Sequence, residues 1–265
     1  MDSIAILGGG KIGEALLSGL LRGGEDDIIV SEKHPERASY LADTYRVQVT
    51  DLLAAVKQAS TLLLAVKPQD IDTLLAEIAP AVESRHVIVS VAAGITTKHI
   101  ERSLPDGVAV VRCMPNTPAL VDQAMTAVAG GAHATDEHLA VAESLLAAVG
   151  RVVRVPEAQL DAVTALSGSG PAYFFYLVEA MIDAGILLGL PRTLAAELIV
   201  QTAVGAATML RDSGEHPVQL REAVTSPGGT TIAAIRELEV HGVRAALLAA
   251  IEAAAKRSRE LGADD

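Results

Sequence analysis

Aromatic side chains are nearly absent, making up 2% of the 265 residues, with no Trp, two Phe and four Tyr. A core built without them relies on Ala, Val, Leu and Ile, whose small side chains let helices approach closely, including across subunits. Cysteine is scarcer still. The lone Cys113 has no internal disulfide partner, and no Cys and His residues cluster at metal-ligand spacing, so a stapled secreted scaffold and a structural zinc site are both excluded. Positive charge is also in deficit: Lys+Arg 21 against Asp+Glu 33 gives a net charge of −12, which repels phosphate backbones and anionic lipid headgroups. Nucleic acid and membrane surfaces are thereby set aside as partners. No uncharged apolar run reaches the roughly 18 residues of a membrane span; Ala245 to Ala255 comes nearest and is interrupted by Glu252. Met1-Asp2-Ser3 carries no basic leader, so the start reads as a strand and not as a signal peptide, and a soluble cytoplasmic protein is expected.

Half of the chain is apolar, enough for a large core. From Ser3 to Val155 short β-branched or aliphatic runs alternate with helical stretches: Ile4 to Leu7, Ile28 to Val30, Val47 to Val49, Thr61 to Val66, Val87 to Val91, Val108 to Val111, Met125 to Val128 and Val152 to Val155. Strands alternating with helices predict a mainly parallel sheet with crossovers, and the uninterrupted apolar run at Leu62-Leu63-Leu64-Ala65-Val66 predicts a central strand buried on both faces. After Pro156 only helical periodicity remains, in Ala172 to Leu190, Leu194 to Leu210 and Val243 to Lys256, divided by glycine and proline stops. The pattern therefore predicts an α/β domain over 1–155 and an all-α domain over 156–265.

The first strand runs into Gly8-Gly9-Gly10-Lys11-Ile12-Gly13 and then a helical stretch, the context in which G-x-G-x-x-G binds a dinucleotide. Gly8 permits the tight turn, Gly10 lets backbone reach a pyrophosphate, Gly13 lets helix pack on strand, and Lys11 and Ile12 open the helix whose N-terminus faces the phosphates. After the second strand come Ser31, Glu32, Lys33 and His34, with Arg37 close behind. A carboxylate there takes the ribose hydroxyls of NAD, whereas a basic group takes the 2′-phosphate of NADP. Both are offered, and the balance leans to NADPH with NADH kept open. Ala65-Val66-Lys67-Pro68 and Ala92-Ala93-Gly94 end the fourth and fifth strands, where the nicotinamide half of the cleft is expected. Lys67 reads as a catalytic amine or, more often for a lysine before a helix-opening proline, as a cap or phosphate neighbour. In Met114-Pro115-Asn116-Thr117-Pro118 two prolines stiffen a loop that either presents the Asn116 amide to the cleft or is only a rigid turn.

In the helical half, Leu166-Ser167-Gly168-Ser169-Gly170-Pro171-Ala172-Tyr173 reads as the start of a helix with proline in its first turn and Ser169 or Gly170 as its cap. Val224-Thr225-Ser226-Pro227-Gly228-Gly229-Thr230-Thr231 opens another helix with an excess of hydroxyls, a ready site for a carboxylate. His133, His138, His216 and His241 read as surface or helix-end residues, and Cys113 as a buried packing residue.

Taken in order, the glycine loop, the AVKP of Ala65 to Pro68, the LSGSGPAY of Leu166 to Tyr173 and the VTSPGGTT of Val224 to Thr231 resemble pyrroline-5-carboxylate reductases. The resemblance extends over nearly the whole chain. It implies a Rossmann-type dinucleotide-binding domain followed by an all-α dimerisation and substrate-binding domain, with no metal. It also implies hydride transfer from C4 of NAD(P)H to the imine carbon of L-1-pyrroline-5-carboxylate, giving L-proline, the last step of proline biosynthesis. On this reading Ser226 and the N–H groups of Gly229 and Thr230 hold the substrate carboxylate, Gly228 belongs to the same substrate-binding loop, and the Thr231 hydroxyl bonds the ring nitrogen. Interlocking helical domains make a homodimer, or a multiple such as a decamer, the expected assembly. Two other readings stand beside it. One is a reductase of a related cyclic imine, and the other is a non-catalytic NADPH-binding sensor, which has no need of the Ser226 to Thr231 loop. A hydroxyacid dehydrogenase on the same plan needs a lysine on the long helices, and none occurs between Lys98 and Lys256.

Overall fold

Ile4-Ala5-Ile6-Leu7 is short, apolar throughout and followed at once by glycines, so it makes a strand buried on both faces and nothing longer. This is β1 (Ile4–Leu7) in the computed structural model, which describes residues 3–263. The other strands are β2 (Ile28–Ser31), β3 (Gln48–Val49), β4 (Thr61–Leu64), β5 (Val87–Ser90), β6 (Ala109–Met114), β7 (Ala124–Gly130) and β8 (Gly150–Arg154). Between them run α1 (Lys11–Arg22), α2 (Pro35–Tyr45), α3 (Leu52–Gln58), α4 (Ile71–Ile78), α5 (Thr97–Ser103) and α6 (Asp136–Ala147). All eight expected strands are present. β4 stops at Leu64, short of the expected Val66, because Ala65 and Val66 turn away as the wall of a cleft.

The sheet order is β3-β2-β1-β4-β5-β6-β7-β8, which puts β4 near the middle as expected. Every pairing is parallel except β6 with β7, where the chain reverses through the turn at Thr117–Val121 and Asp122 adopts a left-handed φ of 58°. Alternate residues sort to opposite faces. Ile4 and Ile6 pack with Leu16, Leu17 and Leu20 of α1 on one side, while Ala5 and Leu7 pack with Val56, Leu75 and Ile78 on the other. The chain builds outward from β1 to β3 and then returns to β4, so the strand order reverses beside β1, where α/β sheets bind their ligands. Leu7 pairs with both Ser31 and Leu64, which brings the loops after β1, β2 and β4 to one level.

Beyond β8 the elements are α7 (Leu160–Val163), α8 (Gly170–Leu187), α9 (Arg192–Asp212), α10 (Pro217–Ala223), α11 (Thr230–Val240) and α12 (Val243–Ala263). By packing, residues 3–169 and 254–263 form one compact unit and 170–253 a second. The unit border thus falls later than the pattern change at Pro156. The reason is Leu160, fully buried against Ala127 and Ala129 of β7, which holds the first helical turns to the sheet. The end of α12 also belongs to the first unit, where Ser258 donates a 2.6 Å hydrogen bond to Asp161.

The helix expected to begin at Ser169 or Gly170 has a different entry. The chain is already helical there, passing through a wide π turn at Thr164–Gly168 in which the Ser169 N–H bonds the Thr164 carbonyl at 2.8 Å. Ser169 is therefore not an N-cap. In the second unit α8 and α9 touch where Gly185 meets Ala195; a Cβ on Gly185 would lie 2.9 Å from that of Ala195. Gly170, Gly185 and Ala195 are the buried residues of this unit, whereas Phe175, Tyr176, Leu187 and Leu188 are all at least 70% exposed.

Candidate active site

Three glycines after β1 have three distinct environments. Gly8 has a φ of 110°, and a Cβ on it would sit 2.8 Å from the Ala65 carbonyl oxygen. A Cβ on Gly13 would lie 2.1 Å from the Gly8 carbonyl oxygen, so only glycine lets α1 approach β1 this closely. Gly10 is the opposite case, with no atom within 4 Å of the place its Cβ would take. It is the N-cap of α1 and offers no side-chain cap, which leaves the N–H groups of Lys11, Ile12 and Gly13 open toward that empty space. Space for backbone contact and unpaired donors at a helix start fit a pyrophosphate.

A cleft of about 410 Å³ opens beside this loop. Gly8, Gly10, Ser31, Glu32, Lys33, His34, Ala65, Val66 and Lys67 line it, so the structure brings together about half of the cofactor residues named from the sequence. Thr50 and Asp51 after β3, Asp70 and Thr73 around the start of α4, and Glu77 near its end line it as well, and the sequence gives no sign of them. Strand order is what brings them in, and no local motif marks it. Lys33 lies 3.6 Å from Asp70 with both side chains largely exposed, a pair too weak to hold the ammonium away from a phosphate. Lys67 caps the short turn at Pro68–Asp70 and lines the same cleft, a position fitting the phosphate-neighbour reading over the catalytic one.

Three groups named from the sequence have other neighbours in the structure. Arg37 is not free for a phosphate: its Nε donates to the Gly9 carbonyl at 2.7 Å, its guanidinium pairs with Glu14, and it lies over the Tyr40 ring. Asn116 does not line the cleft; its Nδ2 donates to the Ser167 carbonyl at 3.2 Å and its Oδ1 accepts from the Met125 N–H at 3.0 Å. Ala92, Ala93 and Gly94 follow β5, with Ala92 buried and Gly94 packed against Leu261. Burial pushes the Cys113 thiol up, which keeps it a packing residue. His138, His216 and His241 stand at helix ends, as expected.

The hydroxyl-rich loop lies in the second unit, between α10 and α11. Gly228 takes a left-handed φ of 68°, and the Gly229 N–H closes the turn onto the Ser226 carbonyl at 3.1 Å. That bond removes Gly229 N–H from the donors expected for a carboxylate. The N–H groups of Thr230, Thr231 and Ile232 open α11 without a cap, and the hydroxyls of Ser226, Thr230 and Thr231 have no partner among the described residues.

The comparisons join the two halves. A family model described as pyrroline-5-carboxylate reductase dimerisation matches residues 157–261, and one described as NADP oxidoreductase coenzyme F420-dependent matches residues 3–94. The pyrroline-5-carboxylate reductase of Mycobacterium tuberculosis is 49% identical, covering 98% of this chain and 97% of its own length. The chain belongs to the pyrroline-5-carboxylate reductase family. The reductase of Synechocystis is 45% identical over 98% of both chains. The solved reductase of Coxiella burnetii superposes with a TM-score of 0.92 at 36% identity, over 98% of each chain. That of Plasmodium falciparum, solved with NADP bound, gives 0.88 at 25% identity over the same share. The Rossmann-type unit and the helical region named from the motifs are thus those of a pyrroline-5-carboxylate reductase.

Proposed function

We infer that this chain reduces L-1-pyrroline-5-carboxylate to L-proline with NADPH, as a homodimer in the cytoplasm. The observation that carries the reading is the start of α11, where the hydroxyls of Ser226, Thr230 and Thr231 and three N–H groups stand without partners among the described residues. A sensor that only binds dinucleotide has no use for them. Bound reduced nicotinamide supplies the hydride for the imine carbon. The chain's own part is orientation. The N–H groups of Thr230 and Thr231 and the Ser226 hydroxyl hold the substrate carboxylate, and the Thr231 hydroxyl bonds the ring nitrogen and fixes which face of the ring is presented. A cyclic imine is basic enough to arrive protonated, in keeping with motifs that contain no His, Asp or Glu.

NADPH is favoured over NADH by the cleft. Both Glu32 oxygens already accept N–H bonds, from Gly9 and His34 at 2.8 Å each, while Lys33 and His34 face the same space. The NADP-bound relative supports this choice. Dimerisation is supported by the second unit, whose apolar side chains have almost no core of their own to enter. Two helical stretches, 157–187 and 192–212, are long and apolar enough to cross a membrane, yet both overlap the region matched by the dimerisation model, and a partner subunit is the better cover. Multiples of the dimer, up to a decamer, would use further surface.

Loss of reduced-nicotinamide absorbance with pyrroline-5-carboxylate, run with NADPH and with NADH, tests the reading. Turnover with a higher kcat/KM for NADPH supports it. Cofactor binding without turnover would overturn it in favour of another cyclic imine or a sensor.

A further inference from the structure

The middle residue of Gly8-Gly9-Gly10 is one that the motif leaves unspecified, yet Gly9 is buried. A buried peptide must find partners for both its N–H and its C=O. Neither partner comes from the loop. The N–H donates to Glu32 Oε2 at 2.8 Å, and the carbonyl accepts from Arg37 Nε at 2.7 Å. Glu32 ends its other oxygen on the N–H of His34, the cap of α2, and Arg37 lies one turn into that helix. The Arg37 guanidinium then pairs with Glu14 of α1, whose second oxygen accepts from the Tyr45 hydroxyl at 2.9 Å. The ring of contacts is closed: loop, β2, α2, α1 and back to the loop. Gly9 itself has no room to shift, since a Cβ there would lie 2.4 Å from Leu41.

We propose that Arg37 and Glu32 are positioning residues for the cofactor: they grip the Gly9 peptide from its two sides and so aim the pyrophosphate-binding N–H groups that follow Gly10. The proposal rests on the dinucleotide reading above and adds a consequence to it. The pyrophosphate is common to NADPH and NADH, so a residue that aims the loop affects both cofactors alike. A residue that touches the 2′-phosphate affects NADPH alone. By this division Arg37 falls in the first group and Lys33 in the second.

Fluorescence titration of NADPH and NADH into the intact enzyme without substrate separates the cases. Arg37→Met is expected to raise both Kd values by a common factor of about tenfold, the loss of a charge-assisted hydrogen bond. Arg37→Lys is expected to do the same, because an ammonium cannot span the Gly9 carbonyl and Glu14 as the fork does. Lys33→Ala is expected to weaken NADPH only. A rise confined to NADPH in Arg37→Met, or no rise with either cofactor, overturns the proposal. Should Arg37→Met not fold, Glu14→Gln serves instead: it removes the charge that anchors the guanidinium, a common rise of about threefold supports the proposal, and unchanged Kd values overturn it. Wild-type enzyme that binds neither cofactor would overturn the functional reading itself, which marks that failure off from failure of the clamp alone.

Discussion

The side-chain amide of Asn116 donates to the carbonyl oxygen of Ser167 at 3.2 Å, an acceptor that Pro171, four residues on, cannot reach because it has no N–H. With its own oxygen Asn116 accepts the Met125 N–H. One side chain thus ties the end of β6 to the start of β7 and to the wide turn that leads into α8.

Asn116→Ala is therefore expected to destabilise the protein by about 1–3 kcal/mol, through one unpaired donor and one unpaired acceptor in a partly buried site. Asn116→Asp is expected to be no better, since it keeps the bond from Met125 but sets two oxygens against each other at Ser167. Thermal melts give the answer. An unchanged Tm with a raised KM would return Asn116 to the binding role its loop suggested.

The glycines of the first loop make a paired prediction. Gly10→Ala meets no atom of the protein and is expected to leave Tm unchanged while raising the KM for NADPH, because the new methyl fills the space a pyrophosphate needs. Gly13→Ala drives a methyl into the Gly8 carbonyl and is expected to lower Tm by several degrees. Equal effects of the two on stability would remove the distinction.

Both loops were legible in the sequence, and so were the eight strands, because β-branched runs and glycine spacing are local signals. Direction and long-range pairing are not. Nothing in the Ala124–Gly130 run distinguishes an antiparallel strand from its parallel neighbours, and nothing in Asn116 marks Ser167 as its partner. Its place after β2 makes Arg37 one of several basic candidates for a phosphate; helix geometry turns it back onto Gly9 and Glu14. Sequence alone leaves the Gly229 N–H free, and the turn at Gly228 folds it onto Ser226. In each case the residue type was informative and its partner depended on tertiary structure.

Glu14 carries a pH signature. Burial raises its carboxyl, but hydrogen bonds from Arg37 and Tyr45 and the charge of Arg37 outweigh that and hold it below the ordinary 4.5. A carboxyl depressed on folding contributes stability that is present above its unfolded value and lost as pH falls through its folded one. Acid unfolding of the wild type should therefore steepen below about pH 4.5, and Glu14→Gln should flatten that limb. Identical acid limbs would show that the Arg37 pair contributes nothing.

At the start of α11, Thr231→Ala is expected to lower kcat/KM by roughly tenfold to a hundredfold, the worth of one charge-assisted hydrogen bond of about 1.5–3 kcal/mol. Thr231→Ser keeps the hydroxyl and should recover most of it. Because the hydroxyl has no partner within the described chain, its loss should leave Tm unmoved. An unchanged kcat/KM removes Thr231 from the mechanism.

Leu198 of α9 is 52% exposed in the single chain. A charge at so open a site would cost a monomer little, within about 0.5 kcal/mol. If that leucine is covered by a second copy, however, Leu198→Asp buries an unpaired carboxylate at the interface and blocks association. The expected product by sedimentation is a monomer with little turnover, and a melt no longer dependent on protein concentration, since association stabilises the folded state only when it occurs. A variant that stays dimeric and active would show that this stretch of α9 faces solvent, and that the apolar cover of the helical unit is built from its other helices.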